Sequence, residues 1–318
     1  MRIKKIRIED ININDERFRI PSYFSLDSLE FSLKEIGIIN PPVVTFRDSR
    51  LIPVIGWKRI LVCRKISLSP ILVFLHDEKN DLEAFKIAVY DNFATREFSP
   101  LEKAEILKKF EEFGADKKSI IEQYMPLLDI PPTHIHQDAY MSVSRIEKDL
   151  KAIIQKKKML FASIQLLAGF KPREQRLILP LLLPMSQNKQ KEILEDLQDI
   201  SQKENISVEE VLASEEFGTA FDTNDLSPVQ KSDKVRFMLK KRRYPTLFKW
   251  KDSFESILKK IQWPKEITIN PSPFFEDEHF FLKFSFKNHE ELKKNLVKLQ
   301  KLSSDERFAG IFKNLFHD

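Results

Sequence analysis

Seven residues in the first hundred of this 318-residue chain have types and spacing suited to holding an anion and its counterion. Gly56 follows the apolar pair Val54-Ile55 and precedes Trp57-Lys58-Arg59, a pattern that ends a strand and opens a helix. Free backbone N–H groups at such a junction can meet an anion, and Lys58 and Arg59 on the first helical turn can clamp phosphates. Asp91 and Asn92 stand side by side at a predicted helix end, two oxygen donors suited to a hard cation such as Mg²⁺. Thr95 and Arg96 follow within reach of the same pocket. Taken singly, each of these is also an ordinary helix start or turn. Other sets carry less: His134 and His136 sit two apart beside a proline turn, with no Glu or Cys at metal-ligand spacing. The single cysteine, Cys63, lies one turn past Arg59 on a helix face and reads as a packed core residue rather than a reactive thiol.

These residues need elements to position them. Residues 1–98 read as mixed α and β. Ile3, Ile6 and Ile8 alternate with basic residues as in a strand. Leu26, Leu29, Leu33 and Ile36 fall at helical spacing, with Gly37 as a stop. Pro41-Pro-Val-Val-Thr-Phe and Leu51-Ile-Pro-Val-Ile read as a hairpin turning through Arg47-Asp-Ser-Arg. A helix over 58–65, a strand from Pro70 and a helix over 81–92 follow.

From Ser99 the pattern becomes helical. Ser99-Pro100-Leu101-Glu102 is an N-cap with proline at the first helical position, and the helix it opens stops at Gly114. Further helices are predicted over 116–128, 133–143, 145–156, 161–169, 172–182, 187–203 and 207–213. Residues 214–230 read as a polar linker. The remainder, 231–318, reads as a small α+β unit: helices over 231–242 and 250–261, strands over 267–270 and 280–286, and a helix over 288–302. That last helix is expected to cover the strand face carrying Phe280, Leu282, Phe284 and Phe286. The fold class is therefore α+β and multidomain, with domains at 1–98, 99–213 and 231–318.

Composition narrows the function classes. Six glycines against 26 phenylalanines exclude collagen-like and Gly-rich disordered chains. No run of about eighteen uncharged apolar residues exists to span a membrane, and the amino-terminal residues lack the apolar stretch of a signal peptide. With one cysteine and no internal disulfide, the expected location is cytoplasmic. The net charge of +5 is mild, so its placement says more than its total. Residues 100–213 hold 17 basic and 18 acidic side chains, whereas Lys231 to Lys251 hold nine basic and one acidic. That stretch is the first candidate to grip a polyanion.

In order along the chain, Gly37-Ile-Ile-Asn-Pro41, Gly56-Trp57-Lys58-Arg59, and Asp91-Asn92 before Ser99-Pro100-Leu101-Glu102 resemble the motifs of the ParB N-terminal domain, the ParB/sulfiredoxin-like fold. The resemblance covers residues 3 to 105. It implies a site for CTP and Mg²⁺, with Gly56, Lys58 and Arg59 on the phosphates, Asn92 on the metal and the acid at 91 needed for hydrolysis; Thr95 and Arg96 join the nucleotide set. In that family nucleotide closes a dimer into a clamp on DNA. The implied partners are DNA, a second copy of the chain and a partition-type ATPase, and the implied location is the nucleoid. Trp57 stands where the family has glutamate, Asp91 is a methylene shorter than the usual glutamate, and Thr95 takes the usual arginine position. Binding is expected to tolerate these departures better than CTP hydrolysis does. Sulfiredoxin chemistry is excluded, because its cysteine would fall at Trp57.

The resemblance also implies a helix-turn-helix in the helical domain, between Lys117 and Tyr140. Its break, Met125 to Thr133, is long and proline-rich, so the motif is divergent, and its recognition helix offers His134, His136 and Gln137. Lys156, Lys157 and Lys158, with Lys240, Lys241, Arg242 and Arg243 in the last domain, are candidate phosphate contacts. Pairing of chains through the C-terminal domain follows by analogy only. The alternative is a nucleotide-independent DNA-binding regulator or scaffold that keeps the fold without the switch, which Trp57 favours. A nuclease is disfavoured, since no second carboxylate cluster stands ready for two metals.

Overall fold

The computed structural model describes residues 2–21, 26–221, 226–261, 263–264, 266–272, 279–306 and 308. Contacts divide the chain into two compact units, Met1–Leu194 and Glu195–Asp318.

In the first unit β1 (Arg2–Ile6), β2 (Val43–Arg47), β3 (Arg50–Ile55) and β4 (Ile71–His76) form one sheet in the order β1-β4-β2-β3. β1 is antiparallel to β4, β2 runs parallel to β4, and β2 and β3 form the predicted hairpin. The hairpin turns through Asp48 and Ser49, at φ 49° and 62°. Positive φ at both central residues gives the turn whose twist suits a right-handed ribbon. The register pairs Val43 with Ile55 and Val44 with Pro53, skipping Val54. This bulge bends β3 just before Gly56.

Because strand side chains alternate, the sheet has two dissimilar faces. Val44, Ile71, Val73 and Leu75 pack against Leu33 of α1 (Asp27–Ile36) and Ile60 and Cys63 of α2 (Trp57–Lys65). Cys63 is fully buried, and burial pushes its thiol pKa up, as a core cysteine requires. On the opposite face Val43, Phe74 and His76 line a cavity.

That cavity is walled by α3 (Asp81–Phe93), which Asn80 caps by accepting from the N–H groups of Leu82 and Glu83. α4 (Pro100–Glu112) opens with a complete capping box between Ser99 and Glu102. Phe85 of α3 packs at 5.1 Å from Phe110 and 5.3 Å from Phe113. Lys109 of α4 reaches back to the amino-terminal loop, where its ammonium donates to the carbonyls of Glu16, Arg17 and Arg19 at 2.8, 2.7 and 2.9 Å. Burial pushes the pKa of this lysine down to about 8.

The helix predicted over 116–128 is three pieces run together: α5 (Lys117–Ser119), a π-helical turn (Ile120–Tyr124) and α6 (Met125–Leu127). The Met125 N–H bonds to Ile120, five residues back. The widening lies beside Pro126, which has no N–H to continue the ordinary ladder. α7 (His134–Ser144), α8 (Lys148–Lys156), α9 (Phe161–Ala168), α10 (Pro172–Leu182) and α11 (Gln187–Glu204) follow close to their predicted bounds.

α12 (Val208–Ala213) and α13 (Glu215–Phe221) come next. α13 occupies part of the stretch expected to be a polar linker, because Phe217 is fully buried and anchors it. In α14 (Pro228–Arg243) and α15 (Pro245–Lys260) the first helical residue is proline, and α15 starts five residues earlier than expected. β5 (Ile267–Pro271) pairs antiparallel with β6 (Phe280–Phe284), and α16 (His289–Ser303) closes the described fold; the connection over 273–278 lies outside the described residues. Phe280 packs 5.7 Å from Phe254. Leu282 and Phe286, however, are about half exposed, so the cover expected for this strand face is incomplete. Among the described residues no helix is long and apolar enough to cross a membrane.

Candidate functional site

A cavity of about 1450 Å³ in the first unit is lined by Gly56, Lys58, Arg59, Asp91, Asn92, Thr95 and Arg96, all seven residues singled out by type and spacing. Their convergence follows from the sheet. Gly56 sits at φ 84°, and a Cβ placed there would lie 2.8 Å from the Pro42 Cβ, so only glycine makes this turn without displacing Pro42. No side chain caps α2, which leaves its first-turn N–H groups for water or a ligand. Lys58 and Arg59 follow on that turn. Burial holds the Lys58 ammonium below its usual pKa range, and the neighbouring charge of Arg96 pushes the same way, against Glu102. The Arg59 guanidinium donates to the Asn40 carbonyl, which ties it to the cavity rim.

The other half of the set hangs from the carboxyl end of α3. Asn92 Nδ2 donates to the Ala88 carbonyl at 2.8 Å, and Asn92 Oδ1 accepts from Arg96 Nε at 3.2 Å. Arg96 also binds Glu102, 1 % exposed, through Nη1 at 2.8 Å, and its guanidinium lies 4.8 Å over the Phe98 ring. The capping glutamate of α4 thus doubles as the counterion of a cavity arginine. The Thr95 hydroxyl donates to the carbonyls of Asp91 and Asn92 at 3.2 and 3.1 Å. Asp91 is exposed at the same helix end, so Asp91 and Asn92 offer two oxygens to a cation only if Arg96 shares Oδ1. Among the described residues no group of three or more His, Cys, Asp or Glu stands at metal-holding distance.

Trp57 forms part of the wall. It is 8 % exposed, its Nε1 has no hydrogen-bond partner among the described residues, and the Arg19 guanidinium lies 5.6 Å over its ring. The indole lines the same cavity as Arg59 and Asn92. Sequence reasoning missed Arg19, His76, Glu78, Glu83, Lys86 and Tyr90, which line the same space. The α3 members were visible in principle, because positions 83, 86, 90 and 91 share a helix face. Arg19 gave no signal, since a loop held by Lys109 brings it there.

The expected DNA contacts belong to both units. His134 is exposed at the start of α7, and His136 bonds through Nδ1 to the capping Thr133 at 2.8 Å. Gln137 is a correction: at 4 % exposed it faces the interior and presents nothing to a base edge. Lys156, Lys157 and Lys158 are exposed at the end of α8, as is Lys241 on α14, with Lys240 half-buried beside it. Arg242 is held by Glu204 through two bonds, at 2.9 and 2.6 Å. Arg243 bonds Asp196 at 2.6 Å and also pairs with Asp199. Burial works against the Arg243 charge, but these carboxylates hold its pKa above the usual value.

No protein-family model matches the sequence. The chain is 24% identical over 179 residues to a probable chromosome-partitioning protein ParB of Borreliella burgdorferi, a match covering 56% of this chain and 66% of that relative, just short of two thirds of its length. Among solved structures, the C-terminally truncated ParB of Caulobacter crescentus complexed with CTP-gamma-S is 16% identical, with 56% of this chain and 99% of that one covered at a TM-score of 0.28. The same protein complexed to the centromeric parS site is 14% identical, covering 59% and 96% at 0.33. A Pnob8-like ParB-N domain is 14% identical, covering 76% and 97% at 0.37. These superpositions are too loose to equate the folds. It is the sequence relationship to the curated relative that identifies this chain as ParB-like.

Proposed function

We propose that this chain is a DNA-partition protein whose first unit binds CTP with Mg²⁺ and whose helices bind DNA, the nucleotide acting as a clamp switch in a cytoplasmic, nucleoid-associated homodimer. The observation that carries this reading is the meeting of Gly56, Lys58, Arg59, Asp91, Asn92, Thr95 and Arg96 around one cavity. Lys58, Arg59 and Arg96 give it the positive charge a triphosphate needs, and the uncapped start of α2 adds backbone donors. Asp91 and Asn92 would hold the Mg²⁺, which when bound screens the phosphate charge. The partitioning role of the curated relative supports the choice of process.

The pair formed by residues 117–127 and α7 takes the place of the helix-turn-helix, with His134 and the lysines 156–158 toward DNA. The half-exposed Phe281, Leu282, Phe286, Leu296 and Val297 are suited to pairing two C-terminal domains; sedimentation at increasing concentration tests this. A partition-type ATPase is the natural protein partner. Calorimetric titration of the full chain with CTP and Mg²⁺ tests the nucleotide claim, with Arg59→Ala expected to weaken binding at least about tenfold. No binding by the wild type, or undiminished binding by Arg59→Ala, sinks it.

A second reading, a nucleotide-independent DNA-binding scaffold, is favoured by Trp57, whose apolar ring replaces the family carboxylate in the cavity wall. DNA-binding curves against salt with and without CTP separate the two: identical curves select the scaffold.

A further inference from the structure

The second unit holds a pocket of its own, about 540 Å³, lined by α14, α15 and the end of β5. Its lining is largely apolar. Phe248, Phe254 and Ile269 line it and are themselves buried, and Leu247 and Leu258 line it while packing against Phe254 and Ile269. The α15 positions 247, 251, 254 and 258 recur at three- and four-residue steps, which is one face of a helix. Eleven residues of helix give that face a length of about 16 Å, enough for an elongated ligand.

Three cations are set into this apolar lining. Arg236 and Lys240 stand one turn apart on α14, and Lys251 lies on α15. Arg236 shares its charge with Asp233 Oδ1 at 3.3 Å. Among the described residues that line the pocket, Glu255 carries the one carboxylate, so the lining keeps a positive excess. Between Arg236 and Lys240 in sequence, Phe237 is 54 % exposed, and its ring meets that of Phe248 edge-on at 5.4 Å. A nucleic-acid phosphate satisfies such cations but brings nothing to cover Phe254 and Ile269. A neutral hydrocarbon does the reverse, and an alkyl ammonium sets like charge against three cations. The volume lies in the range of small-molecule sites, which are apolar with a few polar groups that fix orientation. We propose that this pocket binds a small amphipathic carboxylate, an aliphatic body ending in one negative charge. Its chain covers the Phe254 and Ile269 side chains, and its carboxylate is held by Lys240 and Lys251 with Arg236. The proposal does not depend on the nucleotide reading of the first unit.

The test is calorimetry of the full chain with decanoate, decanol, decyltrimethylammonium and acetate, each below its micellar concentration. Decanoate is expected to bind one to one, at least about tenfold tighter than decyltrimethylammonium and about two- to fivefold tighter than decanol, with acetate not bound; partly exposed charge pairs are worth that much. Lys251 is exposed, so Lys251→Glu should fold. It should weaken decanoate about fivefold and strengthen decyltrimethylammonium, a gain that damage to the fold does not produce. Lys4→Glu, an equal change of net charge on β1 of the first unit, should leave both affinities unchanged. Decanoate that fails to bind, or that binds without saturating at one site, overturns the proposal. So does decanol or decyltrimethylammonium binding as tightly as decanoate, or a response to Lys251→Glu no larger than that to Lys4→Glu.

Discussion

The cavity of the first unit and the basic run of the second are opposites. In the cavity, residues as far apart in sequence as Arg19 and Arg96 line one space. In the run, Lys240-Lys241-Arg242-Arg243 stand together in sequence, yet the fold hands Arg242 to Glu204 and Arg243 to Asp196 and Asp199. Crowding along the chain therefore does not keep Arg242 and Arg243 from carboxylate partners, whereas dispersal does not keep distant cations from lining one cavity. What matters is which carboxylates the fold brings to each cation. In the cavity Arg96 too has a carboxylate, Glu102, but that partner sits behind it and holds it in the wall.

The sharpest way to break this contrast is Glu102→Ala. It removes a 1 % exposed carboxylate that serves both Arg96 and the Ser99 N–H, and it is expected to destabilise the chain by about 3–5 kcal/mol in urea unfolding while weakening CTP binding. Lys109→Met leaves three loop carbonyls without their donor and should cost about 2 kcal/mol at neutral pH. It also carries a pH signature. The folded pKa is about 8 against an ordinary 10.5, so the unfolded chain holds the proton more tightly. Stability from this group rises with pH between about 8 and 10.5, and melts across that range should show the rise in the wild type and its loss in the variant. Gly56→Ala meets both a left-handed backbone and Pro42, for about 1–2 kcal/mol and a roughly tenfold loss of CTP affinity.

For the basic run, Arg242→Ala should cost about 1 kcal/mol and leave DNA affinity within twofold. Replacing Lys156, Lys157 and Lys158 by Gln should leave stability untouched yet lower the salt slope of DNA binding by about 3. If the arginine change weakens DNA binding more than the lysine changes do, the contrast fails.

Much of the framework was legible because local chemistry decides it. Ser99 and Glu102 announce their capping box, Gly37 and Gly114 stop their helices with positive φ, and Asp48-Ser49 makes the hairpin. Gln137 was misjudged although its spacing with Tyr140 and Ser144 marks an inward stripe; its polarity outweighed its position. Phe217 similarly turns a polar stretch into a helix through one buried ring. The place of His76 in the cavity lining was not legible, since it depends on β2 lying parallel to β4, a pairing set by packing rather than by any adjacent motif.

Lys109 has a practical consequence for anyone cutting this gene into pieces. Its three bonds to the loop at 16–19, with the Glu102 bond to Arg96, mean that α4 completes the cavity wall from outside residues 1–98. A fragment stopping there would present a frayed amino-terminal loop and an arginine without its brace. A cloning boundary beyond Ala115, whose N–H closes α4 onto the Phe110 carbonyl, keeps the whole vessel.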